Sequence, residues 1–198
     1  MMTHSLSKSA GMTDARLREK IPLLTGEDLF AMGDIGRSEL IEGRLICMSP
    51  TGYSHGRTEL KLGKILDQFV EQHKLGRVFV GEVGIYTHRD PDTVRGADVA
   101  YVSKDRLAQV KSESYFDVAP ELIVEVLSPG DPWSELMEKL DEYFTIGVQM
   151  VWIADPKRQQ IFVYHSLTEV ERFTLNDQVT GGTVLPGFQV AVAEIFSA

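Results

Sequence analysis

Two short apolar segments each carry a carboxylate at a position where a core strand has no use for one. Asp98 lies inside Arg-Gly-Ala-Asp-Val-Ala-Tyr-Val (95–102), and Glu125 inside Glu-Leu-Ile-Val-Glu-Val-Leu-Ser-Pro (121–129). Both segments are rich in β-branched and apolar residues and are bounded by Gly or Pro, the pattern of buried strands. Side chains alternate along a strand, so Glu125 shares its face with Ile123 and Leu127, and Asp98 with Ala100 and Val102. An unpaired carboxylate in such a place is costly, so a cation should accompany it. A metal ion, a lysine, or both would serve.

The chain's 198 residues suffice for one domain with a sizeable core. No apolar run is long enough to span a membrane. Residues 1–20 are Ser/Thr-rich without an apolar stretch and read as a flexible tail rather than a signal peptide or an anchor, which leaves 21–198 as a single domain. The one cysteine, Cys47, excludes an internal disulfide and a cysteine-based zinc cluster, and fits a reducing, cytoplasmic setting. A formal net charge of −9 weighs against nucleic-acid binding, because phosphate contacts draw on lysine and arginine. Carboxylates gathered to hold a metal would contribute to that charge themselves.

Local signals order the rest. Thr25-Gly-Glu-Asp28 has the form of a capping box opening a short helix to about Met32. Glu42-Gly43 suits a tight turn between two short strands within 39–48. From Ser54 to about Lys74, His55, Glu59, Leu62, Leu66, Phe69 and His73 recur at helical spacing, with Gly76 in the place of a C-terminal stop. Strands are expected near Arg77–Tyr86, Ala97–Val102 and Leu122–Leu127, with a helical turn near Asp105–Gln109. Asp131-Pro132 reads as a helix start, aspartate capping and proline in the first turn, with the helix ending at Gly147. Val148–Ala154 and Gln160–His165 read as strands, Glu169–Leu175 as one more, Asp177–Gly187 as loop, and Val190–Phe196 as a short terminal element. The expected core is a mixed α/β (α+β) sheet flanked by helices, in which the strand after the second helix lies parallel to its neighbour.

That order resembles the PD-(D/E)XK nuclease fold, and more closely its Uma2 branch (DUF820) of restriction-endonuclease-like proteins. The matching stretches are Glu39-Leu-Ile-Glu-Gly-Arg-Leu, Ser49-Pro50 leading to His55-Gly56, the two acid-bearing segments, Lys139-Leu-Asp-Glu-Tyr143 with Gly147-Val148, Trp152-Ile-Ala-Asp-Pro156, and Leu185-Pro-Gly-Phe188. They run from about Leu24 to Phe196. The resemblance implies a restriction-endonuclease-like core of helix, three strands, helix and strand, and a Mg²⁺-dependent endonuclease acting on DNA, often as a homodimer. The wider superfamily's lysine would stand at 127, where this chain has leucine. In the resembling branch the following helix supplies it, which here means Lys139. The resemblance also makes the backbone carbonyl of Val126 a metal ligand.

Asp98 and Glu125, on adjacent strands, suit Mg²⁺, which takes oxygen ligands and keeps water for a phosphate substrate; Mn²⁺ would substitute. The bland reading is that each acid pairs with a basic residue for structure alone. Lys139 flanks the buried stripe of its helix and has the reach to approach the sheet, or to snorkel at the surface. His55 and Glu59, at i and i+4, either complete the site or form a helix pair. Glu39 and Glu82 are expected to be solvated strand residues at the edge of the cleft, and Tyr143 and Trp152 core aromatics. The competing function is a catalytically inactive nuclease-fold protein serving as a binding or assembly module.

Overall fold

The computed structural model describes residues 22–197; the N-terminal tail expected at 1–20 lies outside them. In chain order the elements are α1 (Gly26–Ala31), β1 (Ser38–Ile41), β2 (Arg44–Cys47), α2 (Tyr53–His73), β3 (Gly76–His88), β4 (Thr93–Ser103), α3 (Lys104–Leu107), β5 (Leu122–Val126), α4 (Trp133–Ile146), β6 (Met150–Asp155), β7 (Gln160–Tyr164), β8 (Val170–Phe173), β9 (Gln178–Thr180), β10 (Gln189–Ala191) and α5 (Val192–Ile195). The mixed sheet follows the order β2-β1-β4-β5-β6-β7-β8, with β3 along β4. Among the described strands, only the pair β5 and β6, joined through α4, is parallel. That is the crossover arrangement the helix between them requires.

The two long helices cover opposite faces of the sheet. Leu62, Leu66 and Val70 of α2 pack with Val99, Tyr101, Leu122, Val124 and Trp152. Leu140 and Tyr143 of α4 pack with Ala100, Ile123, Val151 and Ile153. Strand alternation therefore puts Asp98 and Glu125 on the α4 face. Val99 pairs with Val124 across β4 and β5, so one step further along the ladder sets Asp98 opposite Glu125.

Several boundaries differ from the local signals for identifiable reasons. Lys74, in the left-handed conformation, closes α2, and Gly76 instead begins β3. A Cβ at Gly76 would stand 2.1 Å from the Val102 carbonyl oxygen, so glycine there serves strand packing rather than helix capping. Pro132 is the N-cap of α4, not its first helical residue, and Asp131 accepts the Ser128 N–H at 2.7 Å within the preceding turn. The segment 177–187, expected as loop, contains β9, which pairs with β10 as a separate small ribbon. The capping box at Thr25 and Asp28 and the Glu42-Gly43 turn form as their residues suggest.

Candidate functional site

Where β5 ends beside the middle of β4, the first turns of α2 and α4 frame an open cleft of about 540 Å³. Asp98, Glu125, Val126, Lys139 and His55, the five residues singled out from the sequence, all line it.

Asp98 is fixed from two sides. Its Oδ2 accepts the Val126 N–H at 2.6 Å and lies 3.2 Å from His55 Nε2. Burial raises its pKa, but the hydrogen bond and charge of His55 and the Val126 N–H outweigh that and hold the carboxyl below the usual aspartate value. Burial works against a charged His55, and Asp98 and Glu59 overcome it, leaving the imidazole more basic than usual.

Glu125 meets α4. Lys139 Nζ approaches its Oε2 at 3.0 Å, and the Tyr143 hydroxyl donates to its Oε1 at 2.8 Å. Burial pushes the Glu125 carboxyl up to about 8 despite the Lys139 charge beside it. Lys139 itself also donates to the Gly96 carbonyl at 2.7 Å and lies 3.2 Å from Glu39. Its burial disfavours the ammonium, yet Glu125 and Glu39 more than compensate and raise its pKa above the usual lysine value.

The structure corrects the reading of Glu39 and Glu82 as solvated strand residues. Glu39 is 6% exposed. It accepts from the Gly96 N–H and from Arg95, both at 3.0 Å, and burial's upward pull on its pKa yields to Lys139 and Arg95. Glu82 sits in a β-bulge of β3 at positive φ and pairs with Arg37. Tyr143 is a core aromatic, as expected, but its hydroxyl also holds Glu125. Trp152 is buried, with its Nε1–H on Met150 Sδ. Arg37 and Arg95 were missed from the sequence, because their partners Glu39, Glu82 and Glu142 lie 45 to 56 positions away.

The arrangement explains the Arg-Gly-Ala-Asp segment residue by residue. Arg95 bridges Glu39 on β1 and Glu142 on α4. Gly96 supplies a backbone N–H to Glu39 and a carbonyl to Lys139, and a Cβ there would come within 2.8 Å of Glu82. Asp98 then faces the cleft. One donor set is compact: single ligand atoms of His55, Glu59 and Asp98 all lie within 4.8 Å of one another. Glu59 is further held by the Gly81 N–H at 2.9 Å, and burial first, then the Asp98 charge, raises its pKa. His55 Nδ1 is buried without a hydrogen-bond partner.

A family model described as "Putative restriction endonuclease" (Uma2) matches residues 27–193. The crystal structure of a putative nuclease belonging to DUF820 from Anabaena variabilis has the same fold, with a TM-score of 0.74 at 20% identity over 88% of this chain and 98% of that one. No curated protein matches the chain.

Proposed function

Because the chain belongs to the Uma2 family, we propose that it is a divalent-metal-dependent endonuclease that hydrolyses DNA phosphodiester bonds at the cleft between α2 and α4. The observation that carries this reading is the convergence of Asp98, Glu125, Val126, Lys139 and His55 on one open cleft. The donors fit a metal ion. The compact donor set is His55, Glu59 and Asp98, where a buried imidazole nitrogen makes no hydrogen bond, and Glu125 stands opposite Asp98 on the neighbouring strand. Asp98, Glu125 and the Val126 carbonyl would hold Mg²⁺, or Mn²⁺ in its place, with His55 and Glu59 supporting Asp98. When bound, such an ion polarises a phosphoryl oxygen and makes a water more acidic.

The protein's own groups would do the rest. Lys139 stays charged, and its ammonium is suited to offset negative charge growing on the scissile phosphate. Tyr143 and Lys139 fix both oxygens of Glu125, so the carboxylate need not reorient during the reaction. The Val126 N–H and His55 do the same for one oxygen of Asp98. Cutting both strands of a duplex calls for two such sites, which a homodimer would supply.

The same closed pairing favours the inactive reading, since Glu125 already has protein partners on both oxygens. A cleavage assay decides between them. With Mg²⁺ or Mn²⁺, the purified protein is expected to nick or linearise supercoiled plasmid, and Asp98→Asn to lose about 10²-fold or more of that rate. Inertness on plasmid with either metal would leave the scaffold reading in its place, and an Asp98→Asn variant as active as the parent would overturn the site proposed here.

A further inference from the structure

Beside the cleft, and sharing His55, Ser128 and Leu136 with it, runs a second groove of about 890 Å³. Two aromatic rings stand on it with nothing packed over them: Tyr53, 95% exposed, is the first residue of α2, and Trp133, 53% exposed, is the first residue of α4. Tyr53 gains almost no burial from the fold and Trp133 only about half, and both project from helical ends rather than from loops.

The formal side-chain charges along the groove balance, Lys157 and Arg158 against Asp131 and Asp155, so its positive character is local to the helix ends and Lys157. Neither Gly52 nor Pro132 caps its helix with a side chain, so the first N–H groups of α2 and α4 lack that partner. The first turn of α2 contains no acid, whereas α4 has Glu135. Lys157 and Arg158 lie along the groove as well. Of its acids, Asp155 is neutralised by Arg158 at 3.1 Å, and Asp131 is held by the Ser128 N–H. His55 forms part of the wall shared with the cleft.

We propose that this groove is a stacking clamp for an unpaired nucleic-acid strand, in which bases lie on Tyr53 and Trp133 while the backbone passes the two helix N-termini and Lys157 toward the cleft. The inference rests on the reading of the cleft as a phosphodiester site and names its substrate class: a single strand, or a duplex with an unpaired end or flap. Exposed rings can stack only on a base whose face is free, and inside a duplex both faces are covered by neighbouring pairs. A groove that recognised intact duplex would offer cations along a wide face, which the acidic balance of this chain does not supply.

Tryptophan fluorescence tests this directly, because the only other tryptophan, Trp152, is fully buried. Oligo(dT), titrated in chelator so that nothing is cut, is expected to quench Trp133 saturably, with a shallow log–log salt slope of about −1 to −2. A blunt duplex of equal length is expected to leave the emission unchanged. Tyr53→Ala and Trp133→Ala, both at exposed positions, should weaken binding of a labelled oligo(dT), read by anisotropy, about tenfold each. Absence of quenching, equal quenching by blunt duplex, or unaltered affinity in both variants overturns the clamp. Cleavage of a labelled single strand and of a flap duplex with Mn²⁺, run in parallel, keeps the two readings apart. Cleavage without quenching removes the clamp and leaves the nuclease, and quenching without cleavage upholds the clamp and removes the nuclease.

Discussion

Lys139 touches three acceptors at once, the carboxylates of Glu39 and Glu125 and the carbonyl of Gly96, and each belongs to a different strand or strand position. Its removal therefore does more than delete a charge from the cleft. Lys139→Ala takes the ammonium from buried Glu125, while Glu39 keeps Arg95 and Glu125 can answer by taking up a proton, so the loss should be about 1–3 kcal/mol. Urea denaturation is expected to show that loss; a midpoint equal to the parent's would mean that the acids are solvated. Loss of cleavage in this variant consequently has to be read beside its stability. Tyr143→Phe is the milder probe. It removes one hydroxyl from Glu125 Oε1 and keeps the ring in the core, so about 1–2 kcal/mol of stability should go. An unchanged denaturation midpoint would show that the contact contributes nothing.

At the scale of elements, the ends carry the testable physics. The Thr25 N–H, and after it the Thr25 hydroxyl, hold Asp28 below the ordinary aspartate pKa at the start of α1. A carboxyl depressed in the folded state adds stability that is present above its unfolded value and is lost as pH falls through its folded value. Thermal melts of Asp28→Asn and the parent should thus differ at neutral pH and converge as the pH falls below the ordinary aspartate range and through the depressed Asp28 value. A gap that stays constant down the acid limb would contradict this. Gly76 tests strand packing. Its missing Cβ would meet backbone oxygen at 2.1 Å, which no side-chain rotation relieves, so Gly76→Ala should cost about 1–3 kcal/mol in the same urea assay. Element identity was legible because hydrophobic period and caps are local. The ends of α2 and β3 were less so. Lys74 takes a left-handed conformation that a nearby glycine usually provides, and Gly76 answers to Val102, twenty-six positions on.

For the molecule as a whole, the sheet order brings remote acids together, and that explains what could and could not be read beforehand. Asp98 and Glu125 were visible because a charge inside an apolar strand is a local anomaly, His55 through its i, i+4 spacing with Glu59, and Lys139 through the family resemblance. Glu39 and Glu82 gave no such signal. They look like ordinary strand acids until β1 and the bulge of β3 are set against β4. Arg37, Arg95 and Glu142 were silent for the same reason, being partners only across the fold. Among the described residues no helix is long and apolar enough to cross a membrane. The acidic balance that seemed to oppose a nucleic-acid substrate is concentrated partly in this cleft, where Glu39, Glu82, Asp98 and Glu125 gather. A concentration of carboxylates of that kind attracts divalent cations before it repels phosphate. Titration calorimetry with Mn²⁺ measures that step without any substrate. The parent protein should bind saturably, and Asp98→Asn, folded by circular dichroism, should lose at least about tenfold in affinity. No heat of binding at millimolar Mn²⁺, or an isotherm unchanged by Asp98→Asn, would contradict the account.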